Sequence, residues 1–163
     1  MSIENRVLEL LKENARLSDA EIAAELSSSD AAIKKARRSL EKKGVILGYS
    51  TIVDAQMDPT KETIRALVEL TVRPQKRTGY DSIAKRIYKY PNVVGHYLIS
   101  GQYDFMVIVE GGSHQEIAAF VFDKLATIEH VTHTNTHFVF KKYKEYGVIL
   151  EKEERVERVP IVV

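Results

Sequence analysis

The chain has 163 residues, 24 Lys and Arg against 23 Asp and Glu, 44% hydrophobic and 29% charged residues, and no cysteine. This is enough chain for one domain or two small ones with a real core, and its composition is that of a soluble globular protein, while a formal net charge of +1 removes any argument from bulk attraction to polyanions. Disulfides, thiolate catalysis and thiolate metal sites are excluded, apolar runs such as Val107-Ile108-Val109 are too short to span a bilayer, and the polar start Met1-Ser2-Ile3-Glu4-Asn5 is no signal peptide, so a cytoplasmic protein is expected.

The first segment, "IENRVLELLKENARL", places Ile3, Val7, Leu10 and Leu11 at helical spacing with Glu and Lys opposite. In "LSDAEI", Ser18 precedes Glu21 by three residues between Leu17 and Ile22, a capping box inside a hydrophobic staple that starts a second helix. Ser27-Ser28-Ser29 end that helix early. Ser29 is then an N-cap for a third helix, with Asp30 at its positive end.

Six basic side chains fall between Lys34 and Lys43 of that third segment. At about 100° per residue, Ile33, Ala36 and Leu40 share one side, whereas Lys34, Lys35, Arg38 and Lys42 form a stripe on the other. Residues 1–31 carry Arg6, Lys12 and Arg16 against seven acidic side chains, so the molecule is polarised toward this helix. A solvated helix face would show the same stripe. Two short helices joined by a tight turn, with small Ser29 and Ala31 leading the basic one, fit the major groove of double-stranded DNA. The candidate DNA-binding residues are Ser29, Ala31, Lys34, Lys35, Arg38 and Lys42.

"IAAELSSSDAAIKKARRSLEKKGVILGY" resembles the winged helix-turn-helix of the Lrp/AsnC, or feast/famine, family of transcription regulators, most of all in "LEKKGVILGY". Where that family usually has Gly, an apolar residue, Arg and an apolar residue, this chain has Ser27, Ser28, Ala36 and Arg37. Lys34, Lys35 and Arg38 remain, which favours phosphate binding over base readout.

Residues 54–61, "DAQMDPTK", hold the first Pro and no periodicity, and a linker is placed there between a domain at 1–53 and another at 62–146. "TIRALVELTV" alternates like a strand, and "YDSIAKRIYKY" reads as a helix stopped by Pro91-Asn92. "VVGHYLIS" and "YDFMVIVE" are strands around Gly101-Gln102. "SHQEIAAFVFDKL" is a helix with a capping box at Ser113 and Glu116, and "VTHTNTHFVF" is a last strand. The order βαββαβ is ferredoxin-like, so the whole is α+β: a winged helix-turn-helix followed by an antiparallel sheet with both helices on one face. Phe105, Val107 and Val109 fall on one face of their strand and Met106 and Ile108 on the other, which the helices cannot cover. A second copy of the chain is the simplest cover, so a homodimer is expected, with further assembly into a tetramer or octamer left open.

From Thr63 to Lys144 this half resembles the effector-binding domain of the same family, carried by "SGQYDFMVIVEG" and "VTHTNTHFVFKKYK". The resemblance implies an amino acid or related metabolite bound at subunit interfaces beside the hairpin, at Ser100, Gly101, Gln102, Tyr103, Asp104, Thr134 and Thr136. Asp104 suits an ammonium, backbone N–H groups near Gly101 suit a carboxylate, and the threonines add hydroxyls. Gly-Gln followed by Asp is equally an ordinary turn.

His130, His133 and His137 lie on what reads as a strand, where four residues span about 13 Å, too far for one ion. No metal or cofactor is expected, and no nucleophile–base or paired-carboxylate site stands out. Sirohaem decarboxylases are similar to these regulators in both domains and form the enzyme alternative; a metabolite-binding partner without DNA is another. The charged residues 147–163 read as an exposed tail.

Overall fold

Three amphipathic segments make the first unit: α1 (Ile3–Glu13), α2 (Asp19–Glu25) and α3 (Asp30–Lys42). The computed structural model describes residues 1–53, 63–74 and 79–150, and contacts divide the chain into Met1–Thr51 and Ile52–Val163. The residues assigned to the linker, 54–61, and most of the assigned tail lie outside the described residues.

Each helix of the first unit starts on a serine. Ser2 accepts from Asn5 N (3.3 Å), and Ser29 from Ala32 N (3.3 Å). Ser18 forms the full box, its Oγ accepting from Glu21 N (3.2 Å) while its own N–H donates to Glu21 Oε2 (2.7 Å). The apolar stripes meet in one core of Val7, Leu11, Ile22, Ala23, Ile33, Ala36 and Leu40, with Leu17 and Ile46 against it. Between α2 and α3 the chain turns at Ser27, whose φ of +50° is left-handed, as Ser28 N–H reaches Ala23 O (2.9 Å) and Ser27 N–H reaches Ala24 O (3.3 Å). This is the helix-ending geometry that usually holds glycine. Residues 46–53 run on without regular structure.

The second unit holds β1 (Ile64–Val72), α4 (Asp81–Ile87), β2 (Val93–Leu98), β3 (Phe105–Gly111), α5 (His114–Phe120) and β4 (Val131–Phe138). The strands form one antiparallel sheet in the order β2-β3-β1-β4. Ala66, Val68, Leu70 and Val72 of β1 and Phe105, Val107 and Val109 of β3 pack beneath Ile83 and Ile87 of α4 and Ile117 of α5. Val121–Leu125 continue α5 as a π-helical turn whose Val121 and Leu125 join this core.

At the start of α5 the box is incomplete. Ser113 accepts from Glu116 N (3.0 Å), but Glu116 Oε2 takes Gly112 N–H (2.7 Å) instead of the Ser113 N–H, because Gly112 brings its own N–H within reach one residue earlier. The opposite sheet face carries Leu67 and Glu69 of β1 and Met106 and Ile108 of β3, all half-buried, with Tyr97 exposed. Gly95 of β2 pairs with Ile108, and a Cβ there would stand 2.9 Å from the Ile108 side chain, so glycine is what lets the edge strand lie flat against it. A short hairpin, β5 (Lys144–Glu145) and β6 (Val148–Ile149), turns at Tyr146 and Gly147, which have φ of +46° and +86°. The expected beginning of the tail at Gly147 therefore falls inside a hairpin, which Glu145 ties to Arg65 of β1.

Candidate functional site

The six basic residues of 34–43 separate into two groups once α3 packs. Arg37 is half-buried: its Nε donates to Asp19 Oδ1 (2.7 Å) and its Nη2 to Leu17 O (2.7 Å), joining α3 to the head of α2. Burial opposes the Arg37 charge, but hydrogen bonds with Tyr49 and Asp19 outweigh it and hold the proton more firmly than usual. Lys43 donates to both carboxylate oxygens of Glu4 (2.9 and 2.8 Å), and bonds from Lys43 and Ser39 hold the Glu4 carboxyl below its ordinary range. Lys34, Lys35, Arg38 and Lys42 are exposed and make no ion pair among the described residues. Ser29 and Ala31 are exposed at the leading end of the same helix. Ala31, Lys34, Lys35, Arg38 and Lys42 thus share one solvent-facing side of α3, Ser29 caps its start, and the two structural cations lie off that side.

Ala36 fills the core where the family usually has Arg, being 4% exposed. Arg37, an apolar position in the family's pattern, is the inter-helix tie. Sequence reasoning missed that role, because nothing along the chain singles out Asp19, eighteen residues upstream, from the other acidic side chains of residues 1–31.

In the second unit, residues 99–104 connect β2 to β3. Ser100, Gly101 and Gln102 are exposed, and Gly101 has φ of +149°, a backbone that glycine adopts freely. Tyr103 is half-buried; burial, and then the charge of Glu69 and a bond to it, raise its phenol above its ordinary value. Asp104 is not a free carboxylate. Oδ2 accepts from Val72 N (2.8 Å), Oδ1 accepts from Tyr80 Oη (3.1 Å), and the backbone bonds Leu70 O (3.0 Å) and Ile99 N (2.9 Å). The Asp104 bond, then burial and the nearby charge, raise the Tyr80 hydroxyl, which stays protonated as the donor.

Thr134 and Thr136 are half-buried on β4, opposite Leu70 and Val68. Leu70 also pairs with Phe105, so two strand spacings, roughly 10 Å, separate Thr134 from the Asp104 end of β3. Within one chain the turn and the threonines are not brought into one pocket. His133 and His137 lie on β4 as the strand reading requires, opposite Thr71 and Leu67; His137 pairs with Glu69 (3.1 Å). Among the described residues no three potential ligands converge as a metal site.

A cavity of about 330 Å³ opens instead between α4 and β2, lined by Tyr80, Asp81, Ala84, Tyr88, Val93, Val94, Gly95, His96, Leu98 and Phe105. The buried Nε2 of His96 has no hydrogen-bond partner there among the described residues. No sequence signal marked this place, because its residues read as ordinary helix and strand positions.

A helix-turn-helix with a free basic face, followed by a βαββαβ unit with a ligand-sized cavity, defines a two-part regulator that binds nucleic acid and small molecules. Residues 2–46 match the model for a winged helix-turn-helix DNA-binding domain, and residues 65–149 match that for the Lrp/AsnC ligand-binding domain. The chain is 36% identical over 159 residues to the HTH-type transcriptional regulator YugG of Bacillus subtilis, covering 97% of this chain and 95% of that one. It is 33% identical to the HTH-type transcriptional regulator LysM of Saccharolobus solfataricus, covering 85% and 92%. Two solved structures share the fold: AsnC of Escherichia coli (TM-score 0.69, 21% identity, 89% and 95% covered) and a transcriptional regulator of Neisseria meningitidis in complex with L-Met (TM-score 0.70, 20% identity, 89% and 93% covered).

The chain belongs to the Lrp/AsnC family. It is a DNA-binding transcription regulator with a small-molecule-binding domain, and not an enzyme; the sirohaem decarboxylase alternative has no support. No helix among the described residues is long and apolar enough to cross a membrane.

Proposed function

We propose that Lys34, Lys35, Arg38 and Lys42 hold operator phosphates while Ser29 and Ala31 bring the N-terminal end of α3 into the major groove. The observation that carries this is the four exposed cations on one helix face, unpaired among the described residues, beside two cations of the same stretch that are paired. Each phosphate neutralised releases counterions and adds about 0.9 to the salt slope. The test is the triple variant Lys34→Ala, Lys35→Ala, Arg38→Ala in DNA titrations across salt. Its salt slope falls by about 0.9 per lost contact, and affinity near physiological salt drops on the order of a hundredfold at every sequence. Affinity equal to wild type at moderate salt defeats the assignment.

The effector is an amino acid or close metabolite, held at the turn Ser100–Asp104 of one subunit with Thr134 and Thr136 supplied by another. A fold neighbour is recorded with L-Met, and the roughly 10 Å between turn and threonines within one chain favours a site shared between chains. Subunits meet through the sheet face bearing Leu67, Met106 and Ile108, forming at least a dimer in the cytoplasm, and two α3 helices then address DNA one turn, about 34 Å, apart. Carboxylate oxygens accept more than one bond, so Asp104 can serve Val72, Tyr80 and an ammonium together. Asp104→Asn weakens binding of an amino acid more than of its keto acid, whereas Tyr80→Phe, which keeps the charge, weakens both little. Equal loss for both ligands in calorimetry removes Asp104 from the site.

A further inference from the structure

The cavity between α4 and β2 is built from two kinds of surface. Its body is apolar and aromatic: Leu98, Val93 and the rings of Tyr80 and Phe105, with Tyr80 standing edge-on to Phe105 (centroids 5.7 Å, 87° between planes). These rings are held from behind, since Phe105 is 1% exposed in the core and Tyr80 is fixed by Asp104. The walls are therefore set before any ligand arrives.

Its polar side chains are few: besides the Tyr80 and Tyr88 hydroxyls they are His96 and Asp81. His96 lies with its ring 4.7 Å from that of Phe105, and its buried Nε2 meets neither a donor nor an acceptor among the described residues. Burial holds the imidazole below its ordinary pKa, so the ring is neutral at neutral pH and one nitrogen keeps a free lone pair. Among the described residues Asp81 is the one charged residue in the lining, which holds no Lys or Arg from them. An anion entering this space finds no counter-charge, whereas a cation finds one, and a buried nitrogen gains a partner from any N–H it meets.

We propose that this cavity binds a small apolar amine, with its ring or branched body between Tyr80, Leu98 and Phe105, an N–H donated to His96 Nε2 and its charge balanced by Asp81. A volume of about 330 Å³ is at the small end of ligand sites and suits a single-ring molecule. The site is separate from the Ser100–Asp104 turn and does not depend on the effector reading given there. Tyr80 belongs to the wall of one and, through its bond to Asp104, to the framework of the other. Occupancy thus fixes the residue that steadies the turn.

Calorimetry on the full chain at pH 7.5 tests this with three probes sharing one phenyl body: phenethylamine, L-phenylalanine and 3-phenylpropionate. Phenethylamine binds about tenfold more tightly than 3-phenylpropionate, with L-phenylalanine between them. Asp81→Asn, at an exposed position that does not threaten folding, erases the preference. Ala84→Phe fills the space and removes binding, and His96→Phe keeps the ring packing but weakens the amine several-fold. Gln102→Ala, in the turn, leaves phenethylamine and 3-phenylpropionate unchanged, the two probes that are not amino acids. Equal binding of amine and acid by the wild-type chain, wild-type affinity in Ala84→Phe, or loss of the amine in Gln102→Ala overturns the proposal. The effector reading fails by a different result, the equal loss of amino and keto acid in Asp104→Asn.

Discussion

Helix α3 and the turn Ser100–Asp104 carry the residues with the most evident chemistry, and they hold their charges in different ways. On α3 the groups are sorted by position around the helix: Arg37 and Lys43 are bound to Asp19 and Glu4, and the four others face solvent. At the turn a single carboxylate does both jobs, because Asp104 closes the end of β1 and anchors Tyr80 while standing where the effector is proposed to bind. Structure and binding are separable by mutation in the first region and coupled in the second.

Arg37→Ala is the strongest probe of that separation. Removing two short bonds from a half-buried guanidinium, one to a carboxylate and one to a carbonyl, costs about 2 kcal/mol of N-terminal stability. Lys34→Ala stays within about 0.5 kcal/mol of wild type. If denaturant titrations give both variants the same stability, the division of α3 into structural and free cations is wrong.

Asp104→Asn follows, at about 1.5 kcal/mol, since the amide keeps an acceptor for Val72 N–H but meets the Tyr80 hydroxyl with its NH2, so that bond must reverse and both bonds lose the carboxylate's charge. A variant as stable as wild type would mean that the turn, like α3, keeps its binding group free of structural duty.

Ser27→Gly acts in the opposite sense and raises stability by about 1 kcal/mol, because a left-handed backbone costs a residue with a Cβ about that much. Thermal unfolding checks it; no gain in midpoint would show that the serine is not strained there.

Acid gives the smallest and most graded effect. His96 is lowered by burial from 6.5, so the stability linked to its neutral form is present above that pH and is lost as pH falls through the lowered value. For Glu145, burial acts to raise the carboxyl, but bonds from Arg65 and Lys142 prevail and lower it from 4.5. Its contribution is present above pH 4.5 and lost as pH falls through the lowered value. His96→Phe removes the first phase of acid destabilisation and leaves the second, and an unchanged first phase assigns it to another group.

Much of this was legible along the chain because its causes are local. Ser18 and Ser29 begin helices through bonds that span three residues, and the alternation of Phe105 to Val109 declares which side chains enter the core whatever covers them. The stripe of Lys34, Lys35, Arg38 and Lys42 follows from helical period alone. By itself the sequence determined the three N-terminal helices, the βαββαβ order and the polarity of their faces, but not the β5–β6 hairpin.

Only the tertiary structure decided which charges remain available and where a ligand has room. Arg37 finds Asp19 eighteen residues away, Asp104 finds Val72 on β1 and Tyr80 ahead of α4, and His96 Nε2 is buried beside the cavity without a partner among the described residues. Such pairings and voids depend on the distances between elements that meet only in the folded chain, and no periodicity within an element encodes them.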